Sequence, residues 1–294
     1  MKKLARFLLL STILFSCSKK VKYINKEVNI NIVPLPKNLN LIDSSKHILL
    51  SKKIKVFANF NESKNLYDLI SNDFKKLSYS NSFELVTNKN MSNISLEIDK
   101  ELNDEEYEIS IRNKIIIKGG SLSALKMARS TLLQLSVNEK GRMTFPILTI
   151  KDNPDAIYRG LLVDLAREWH SVETIYKLID LASFYKVNYL QFHLTDDQLF
   201  TFPSENFPKL QTVDNHYTKE ELSSFVDYAY QRGVIIVPEI DVPGHSMQFV
   251  KKYPEIFSTT NLKKRSVDLF GGKSEFANVL NIGKEDVYNS LEKL

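Results

Sequence analysis

The sequence has 294 residues, 43% of them hydrophobic and 26% charged, which is typical of a folded globular protein and suggests about two domains. The formal net charge of +5 comes from 40 basic and 35 acidic side chains, with no basic stripe interleaved with aromatic residues, which argues against nucleic acid as a partner. Cys17 is the only cysteine, so an intrachain disulfide is excluded.

The N-terminus has the pattern of an export signal. Met1-Lys2-Lys3 precedes a nearly apolar run, residues 4–15, that is too short to span a bilayer as a helix and ends close to Cys17. This pattern resembles a bacterial lipoprotein signal, in which cleavage leaves the cysteine as a lipid-bearing N-terminus. We therefore predict a lipoprotein signal peptide over residues 1–17, lipidation of Cys17, and anchoring in the bacterial cell envelope, facing the periplasm or the exterior. A plain signal peptide with an incidental cysteine is the alternative.

Residues 18–29 are polar and lysine-rich and predict a tether. After it, over residues 30–152, short β-type runs mix with helical patterns, which predicts a small α+β domain. The three clearest runs are Ile54–Phe57, Ile94–Ile98 and Ile115–Ile117. Leu122 to Leu135 has apolar residues every three or four positions and predicts a helix. Gly119-Gly120-Ser121, just before it, could bind phosphate, but a simple turn is the favoured interpretation.

The pattern changes after Lys151-Asp152-Asn153-Pro154, a turn-forming stretch that marks a domain boundary. Three apolar runs over residues 158–165, 187–194 and 234–237 alternate with two amphipathic helical patterns, which Ser171 and Thr218 open. Near-continuous apolar strands that alternate with helices indicate parallel pairing buried on both faces.

Each apolar run ends in a cluster of polar residues. In chain order, the clusters are Asp164 and Arg167; His193, Asp196 and Asp197; and Glu239, Asp241 and His245. In a parallel α/β barrel the carboxyl ends of the strands converge on one mouth, where the active site lies. One such cluster would favour a structural role, but three in succession favour a functional site.

The segments around these clusters carry a family resemblance. Residues 158–167 read YRGLLVDLAR, residues 192–198 read FHLTDDQ, and residues 238–245 read PEIDVPGH. In this order and spacing they resemble the successive signatures of glycoside hydrolase family 20, the family of β-N-acetylhexosaminidases, and residues 30–152 resemble its small α+β domain. The resemblance implies an α+β domain followed by an incomplete TIM-type (β/α)8 barrel, with about its first three βα units in residues 153–294.

The family's mechanism, as the resemblance implies it, is substrate-assisted retaining hydrolysis. The 2-acetamido oxygen of a terminal N-acetylglucosamine or N-acetylgalactosamine attacks the anomeric carbon, so no protein nucleophile is needed. Arg167 matches the arginine that binds the outer hydroxyls of the terminal sugar, and Asp196 and His245 match a pair that supports the general acid. The resemblance implies N-acetylhexosamine-containing glycans as partners, with no cofactor and no metal.

The remaining polar residues, Asp164, His193, Asp197, Glu239 and Asp241, are possible lining of the site. For His193, support of a loop is favoured over contact with substrate. For Glu239 and Asp241, lining the mouth and ordering the loop are equally good interpretations.

The family's acid glutamate and its aspartate partner form an adjacent pair, and no Asp-Glu pair in that setting occurs in this sequence. A full barrel also takes roughly 250 residues. We therefore expect these 294 residues to be truncated before the pair and inactive alone. Two other functions stay open: a non-catalytic glycan-binding lipoprotein, and a metal-dependent barrel hydrolase with His193, Asp196, Asp241 and His245 as ligands.

Overall fold

The computed structural model describes residues 21–258 and 279–294. In these two ranges a mixed sheet with two helices precedes a three-stranded parallel sheet with five helices. None of the helices described is long and apolar enough to cross a membrane. Cys17 and the predicted signal peptide over residues 1–17 lie outside the described residues.

The first domain is built on a sheet of nine strands in the order β1-β2-β9-β6-β7-β5-β3-β4, with β8 paired to β9. The strands are β1 (Lys22–Asn25), β2 (Asn38–Leu49), β3 (Lys53–Ala58), β4 (Ser82–Val86), β5 (Ile94–Ile98), β6 (Tyr107–Ile111), β7 (Ile115–Gly119), β8 (Val137–Glu139) and β9 (Arg142–Asp152). Pairing among β4, β3, β5 and β7 is parallel, and the remaining pairs are antiparallel. The three predicted strands are confirmed as β3, β5 and β7.

Two helices, α1 (Ser63–Lys76) and α2 (Leu122–Leu135), pack with the strands around one apolar core. Alternate residues of β6 and β7 are buried, which places one face of the sheet in that core. The predicted helix is α2, and the Ser121 hydroxyl caps its N-terminus by accepting from the Ala124 N–H. A Cβ at Gly120 would collide with the Asn103 carbonyl oxygen. The glycine pair is therefore a tightly packed turn, which confirms the structural interpretation.

The predicted tether needs a correction. Within residues 18–29, Lys22–Asn25 forms β1, which pairs antiparallel with Lys46–Leu49 at the end of β2. The polar composition was misleading because β1 is an edge strand whose four residues are exposed or half-buried, so it needs no apolar pattern.

The second domain has three parallel strands in the order β10-β11-β12. Its elements are β10 (Gly160–Asp164), α3 (Val172–Phe184), β11 (Tyr189–His193), α4 (Lys219–Gln231), β12 (Ile235–Glu239), α5 (Met247–Lys252), α6 (Pro254–Phe257) and α7 (Glu285–Leu291). The sheet is not closed in the described part of the chain, since β10 and β12 each have one neighbour there. The α+β domain followed by a partial α/β barrel is thus confirmed.

Both predicted helix starts in this domain are observed. Ser171 accepts from the Thr174 N–H at the start of α3, and Thr218 and Glu221 form a reciprocal capping box at the start of α4. Gly233 follows α4 with a φ of +79°, a conformation that favours glycine after a helix.

The two domains meet through a polar stripe on α2. Lys126, Arg129, Ser130 and Gln134 lie three or four residues apart and so share one side of the helix. Three of them donate to carbonyl oxygens in the last turns of α3 and α4: Lys126 Nζ to Tyr230 (2.7 Å), Ser130 Oγ to Ser183 (2.8 Å) and Gln134 Nε2 to Phe184 (2.9 Å). Side chains of the first domain therefore donate to carbonyls at the C-terminal ends of two helices of the second domain, and at Tyr230 and Ser183 they add to a backbone hydrogen bond already made by Gly233 and Lys186.

A buried ionic group lies at the same interface. The Tyr107 hydroxyl donates to Asp152 Oδ2 (2.6 Å), and Lys186 Nζ lies 2.8 Å from that hydroxyl and 3.2 Å from the carboxylate. Burial raises the pKa of Asp152, but the hydrogen bonds from Tyr107 and the Lys37 N–H, with the charge of Lys186, outweigh it, and the net pKa is lowered. Burial lowers the pKa of Lys186.

Candidate active site

The last residues of the three parallel strands form one row. Asp164 pairs in register with His193, and His193 with Glu239. In-register neighbours in a parallel sheet point to the same face, so these three side chains converge at the carboxyl edge, where a barrel holds its active site.

His193 occupies the centre of the row. Its Nδ1 lies 2.6 Å from Glu239 Oε1 and its Nε2 lies 2.9 Å from Asp196 Oδ2. The imidazole is buried, and burial alone lowers its pKa, but the hydrogen bonds to Asp196 and Glu239 outweigh this effect and raise the pKa of His193 overall. The favoured interpretation of His193 as a supporting residue agrees with this enclosed position.

The loop after β11 carries Asp196, whose side chain is only 2% exposed. The Asp196 N–H donates to the Leu199 carbonyl (2.9 Å), and a bridge between Thr195 and Phe200 closes the loop. Asp196 Oδ1 accepts from the Asp197 N–H (2.6 Å) and lies 3.2 Å from Nδ1 of His245. The structure therefore brings together the two residues predicted as a supporting pair.

Arg167 lies beside both carboxylates. Its guanidinium contacts Asp164 Oδ2 (2.5 Å) through one terminal nitrogen and Asp196 Oδ2 (2.8 Å) through the other. The backbone N–H of Arg167 also donates to Asp164 Oδ1 (2.9 Å). Burial raises the pKa of Asp164, yet the hydrogen bonds from Arg167 and Ala166 lower it overall. The Arg167 side chain stays 44% exposed, so its outer edge is accessible to a ligand.

The loop after β12 positions His245, which has a φ of +50°. The Asp241 N–H donates to Thr195 Oγ1 (3.0 Å), which ties this loop to the loop after β11. The Ser246 hydroxyl donates to the Gly244 carbonyl (2.7 Å). Asp241 thus orders the loop through its backbone, while the Asp197 carboxylate accepts from the Met247 N–H (3.1 Å) at the start of α5.

Sequence reasoning missed Gln191, whose Nε2 donates to Glu239 Oε2 and fixes the second oxygen of that carboxylate. With this bond and the one from His193, the pKa of Glu239 is lowered although burial raises it. The sequence did contain a pattern that indicates this role, because Gln191 precedes His193 by two residues and therefore lies on the same face of the strand. A polar residue between Leu190 and Phe192 is unusual in a buried strand.

Two groups in the site have the ligand types and spacing for a metal ion. His193, Glu239 and Asp241 form one group, and Asp196, Asp197 and His245 form the other, each with ligand atoms within 4.8 Å of one another. An ion at the first group would compete with the hydrogen bonds that already engage both nitrogens of His193. The chemistry of these donors therefore permits a metal but does not require one.

Comparison with known families decides the assignment. The family model described as glycosyl hydrolase family 20, domain 2, matches residues 29–153, and the model of the catalytic domain of the same family matches residues 157–294. The chain belongs to glycosyl hydrolase family 20. The family resemblance predicted from the three segments is thereby confirmed.

Members of family 20 resemble this chain in both sequence and structure. A β-hexosaminidase of Porphyromonas gingivalis is 30% identical over 269 residues, which cover 83% of this chain and 34% of that protein. A chitobiase of Flavobacterium johnsoniae has a TM-score of 0.74 at 30% identity, covering 89% of this chain and 41% of the other. A β-N-acetylhexosaminidase of Bacteroides fragilis has a TM-score of 0.76 at 25% identity, covering 90% and 53%. The chain thus spans between a third and about half of the length of these relatives.

Proposed function

We propose that this chain forms part of the active site of a β-N-acetylhexosaminidase that releases terminal N-acetylglucosamine or N-acetylgalactosamine from glycans. The observation that supports this most is the cluster at the carboxyl edge of β10, β11 and β12. There an accessible guanidinium lies beside a buried aspartate, which in turn faces an imidazole. The cluster thus combines Arg167, which can bind sugar hydroxyls, with the pair of Asp196 and His245, which can adjust the protonation of a nearby general acid.

In the proposed mechanism the substrate supplies its own nucleophile, the 2-acetamido oxygen, which attacks the anomeric carbon. Arg167 binds the outer hydroxyls, because a guanidinium fork can grip two oxygens at once. Asp196 orients the His245 ring, and His245 adjusts the protonation of the general acid. Glycans that carry N-acetylhexosamine are the proposed partners.

The general acid is proposed to lie outside these 294 residues, because no Asp-Glu pair in the family's setting occurs among them. Without that acid, and with the sheet open on both sides in the part of the chain that the structure describes, we propose that the polypeptide is inactive by itself. We also propose a lipid anchor at Cys17 that attaches the protein to the bacterial cell envelope.

The test uses the full-length protein and two aryl glycosides that differ only at the 2-substituent, acetamido or trifluoroacetamido. Fluorine withdraws electrons from the amide oxygen, so hydrolysis that depends on this oxygen slows steeply for the second substrate. Comparable kcat/KM values for both would exclude substrate assistance. Binding of N-acetylglucosamine without hydrolysis of either glycoside would favour a glycan-binding protein instead.

A metal-dependent hydrolase is the second candidate, because two groups in the site have the spacing of metal ligands. Dialysis of the full-length protein against a chelator, followed by assay and metal analysis, separates the two candidates. Activity that is lost on chelation and restored by a divalent ion would favour the metal-dependent reaction.

A further inference from the structure

The carboxylate of Asp164 contacts Arg167 at both ends of that residue. Its Oδ1 accepts from the backbone N–H groups of Ala166 (3.1 Å) and Arg167 (2.9 Å), and its Oδ2 accepts from a terminal guanidinium nitrogen of Arg167 (2.5 Å). One side chain therefore holds both the main chain of residue 167 and the charged end of its side chain. The rotatable bonds between these two points are restricted together.

The turn that carries Arg167 is fixed as well. Leu165 and Ala166 are fully buried, and the Leu165 N–H donates to the His193 carbonyl (3.0 Å). Asp164 is the last residue of β10 and pairs in register with His193 on β11. The carboxylate that holds Arg167 therefore has a defined position relative to the sheet.

The guanidinium of Arg167 is oriented by two carboxylates. One terminal nitrogen contacts Asp164 and the other contacts Asp196 (2.8 Å), although the side chain is 44% exposed. An exposed arginine ordinarily has a large rotamer entropy. Of the five N–H groups that a guanidinium carries, two face these carboxylates, and the others meet no acceptor in the part of the chain that the structure describes. Those N–H groups are available to a ligand.

Asp164 itself is poorly suited to bind a sugar. Both of its oxygens already accept hydrogen bonds from the protein, Oδ1 from two backbone N–H groups and Oδ2 from Arg167. The site-lining role predicted for Asp164 is therefore better described as support of Arg167, whose outer edge faces the ligand.

We propose that Asp164 is a positioning residue, which holds the guanidinium of Arg167 in its sugar-binding orientation before the substrate binds. This inference rests on the proposed function, since the sugar hydroxyls are what Arg167 is proposed to bind. Ordering one long side chain on binding costs about two- to tenfold in affinity. Asp164 removes that cost because Arg167 is already ordered in the free protein.

Asp164→Asn separates the two contacts. The amide oxygen can still accept from the backbone N–H groups of Ala166 and Arg167, whereas the amide nitrogen only donates and cannot accept from the guanidinium. The turn should therefore persist while the contact with the charged end of Arg167 is lost.

Asp43→Asn is the matched control because Asp43 has the same local arrangement on β2 of the first domain. Its Oδ1 accepts from the Ser45 N–H (2.9 Å), and its Oδ2 pairs with Lys46, three residues further along (3.1 Å). This substitution also breaks a contact between an aspartate and a nearby cation, but it lies outside the candidate site.

The binding test uses calorimetry on the full-length protein with N-acetylglucosamine and its 3-deoxy and 4-deoxy analogues, each of which lacks one outer hydroxyl. The affinity lost with a hydroxyl that Arg167 binds should be about two- to tenfold smaller in Asp164→Asn than in wild type, because a mobile guanidinium gains less from the contact. The loss should be unchanged in Asp43→Asn. A purely structural role would weaken the sugar and its analogues equally, so an equal hydroxyl penalty in Asp164→Asn and wild type would overturn the proposal.

Nitrogen-15 NMR of the arginine side chains provides a readout without ligand. Contacts with two carboxylates should slow the rotation of the Arg167 guanidinium, so that its terminal N–H groups give separate resonances, which Arg167→Lys assigns. These resonances should merge in Asp164→Asn and stay separate in Asp43→Asn. A freely rotating Arg167 guanidinium in the wild type would also overturn the proposal.

Failure of this proposal can be distinguished from failure of the proposed function. If the wild type neither binds N-acetylglucosamine nor hydrolyses a hexosaminide, the proposed function fails and the role of Asp164 fails with it. If the wild type is active but the hydroxyl penalty is the same in Asp164→Asn, only the role of Asp164 fails.

Discussion

Nδ1 of His245 lies 3.2 Å from Oδ1 of Asp196, although the two residues are 49 positions apart on separate loops. The contact depends on two parallel strands that bring their carboxyl ends together and on the Asp241–Thr195 hydrogen bond between the loops.

Asp196→Asn should lower kcat/KM of the full-length protein on an aryl N-acetylglucosaminide by on the order of 10²-fold. The amide keeps the shape but loses the charge that orients His245, and support of acid catalysis is worth about 10²–10⁴-fold. Asp227→Asn, on the exposed side of α4, is the matched control and should leave the rate unchanged. If Asp196→Asn kept the wild-type kcat/KM, Asp196 would have no part in the mechanism.

Arg167→Lys should weaken transition-state binding by roughly 2–3 kcal/mol, because a single ammonium replaces a fork that grips two oxygens and charged hydrogen bonds are worth about 1.5–3 kcal/mol. The quantity to measure is kcat/KM of the full-length protein. Arg112→Lys changes an exposed arginine in the first domain and serves as control. Equal kcat/KM in Arg167→Lys and wild type would show that Arg167 lies outside the substrate site.

Asp152→Ala should destabilise the protein by roughly 3–5 kcal/mol, since it leaves the buried Lys186 without its counterion. The folded-state pKa of Asp152 is lowered, so its stabilisation is complete above the unfolded value of 3.8 and is lost as the pH falls through the folded value. Denaturant unfolding at several pH values measures both effects. Asp99→Ala, which removes a surface partner of Lys118, should change the unfolding free energy little. If Asp152→Ala and Asp99→Ala lowered the free energy of unfolding by similar amounts, the buried Asp152–Lys186 ion pair would be no more important for stability than a surface pair.

Cys17→Ser should release the protein from membranes. A single acyl chain binds a bilayer only marginally, whereas several together hold it stably. Membrane fractionation of cells that express wild type or variant measures the change. Unchanged association of the variant with membranes would exclude lipidation of Cys17 as the anchor.

The polypeptide of residues 18–294 should show background activity on a chromogenic N-acetylhexosaminide. Leu161 and Leu162 on β10 and Ile235 on β12 are exposed at the open sheet, so we also expect light proteolysis to degrade the second domain before residues 30–152. Robust turnover, or a resistant core that includes β12, would contradict this prediction. Glu239 would then be the first proton donor to examine.

Much of the fold and of the candidate site could be predicted because each rested on a local pattern. Strand-end clusters in a parallel α/β chain must converge, so Asp164, His193 and Glu239 could be placed together from the sequence. The hydrogen-bond partners within the cluster could not be predicted, because they depend on side-chain geometry. The spacing of the residues did not show that His193 has a carboxylate on each side. The edge strand β1 could not be predicted because its residues carry no apolar alternation, and the role of Gln191 could not because it is uncharged and lies within β11, not after its end.

The polar stripe on α2 recognises main-chain oxygens through three of its four members, and every amino acid carries such an oxygen. These three hydrogen bonds between the domains therefore depend on where the helix ends lie and little on which side chains those ends carry. Over evolutionary time Phe184 and Tyr230 can change while keeping these hydrogen bonds, whereas Lys126, Ser130 and Gln134 cannot change without losing a donor. Ser183 is the exception, because its hydroxyl accepts from Arg129 and donates to the Arg232 carbonyl. We expect the two sides of one interface to diverge at different rates.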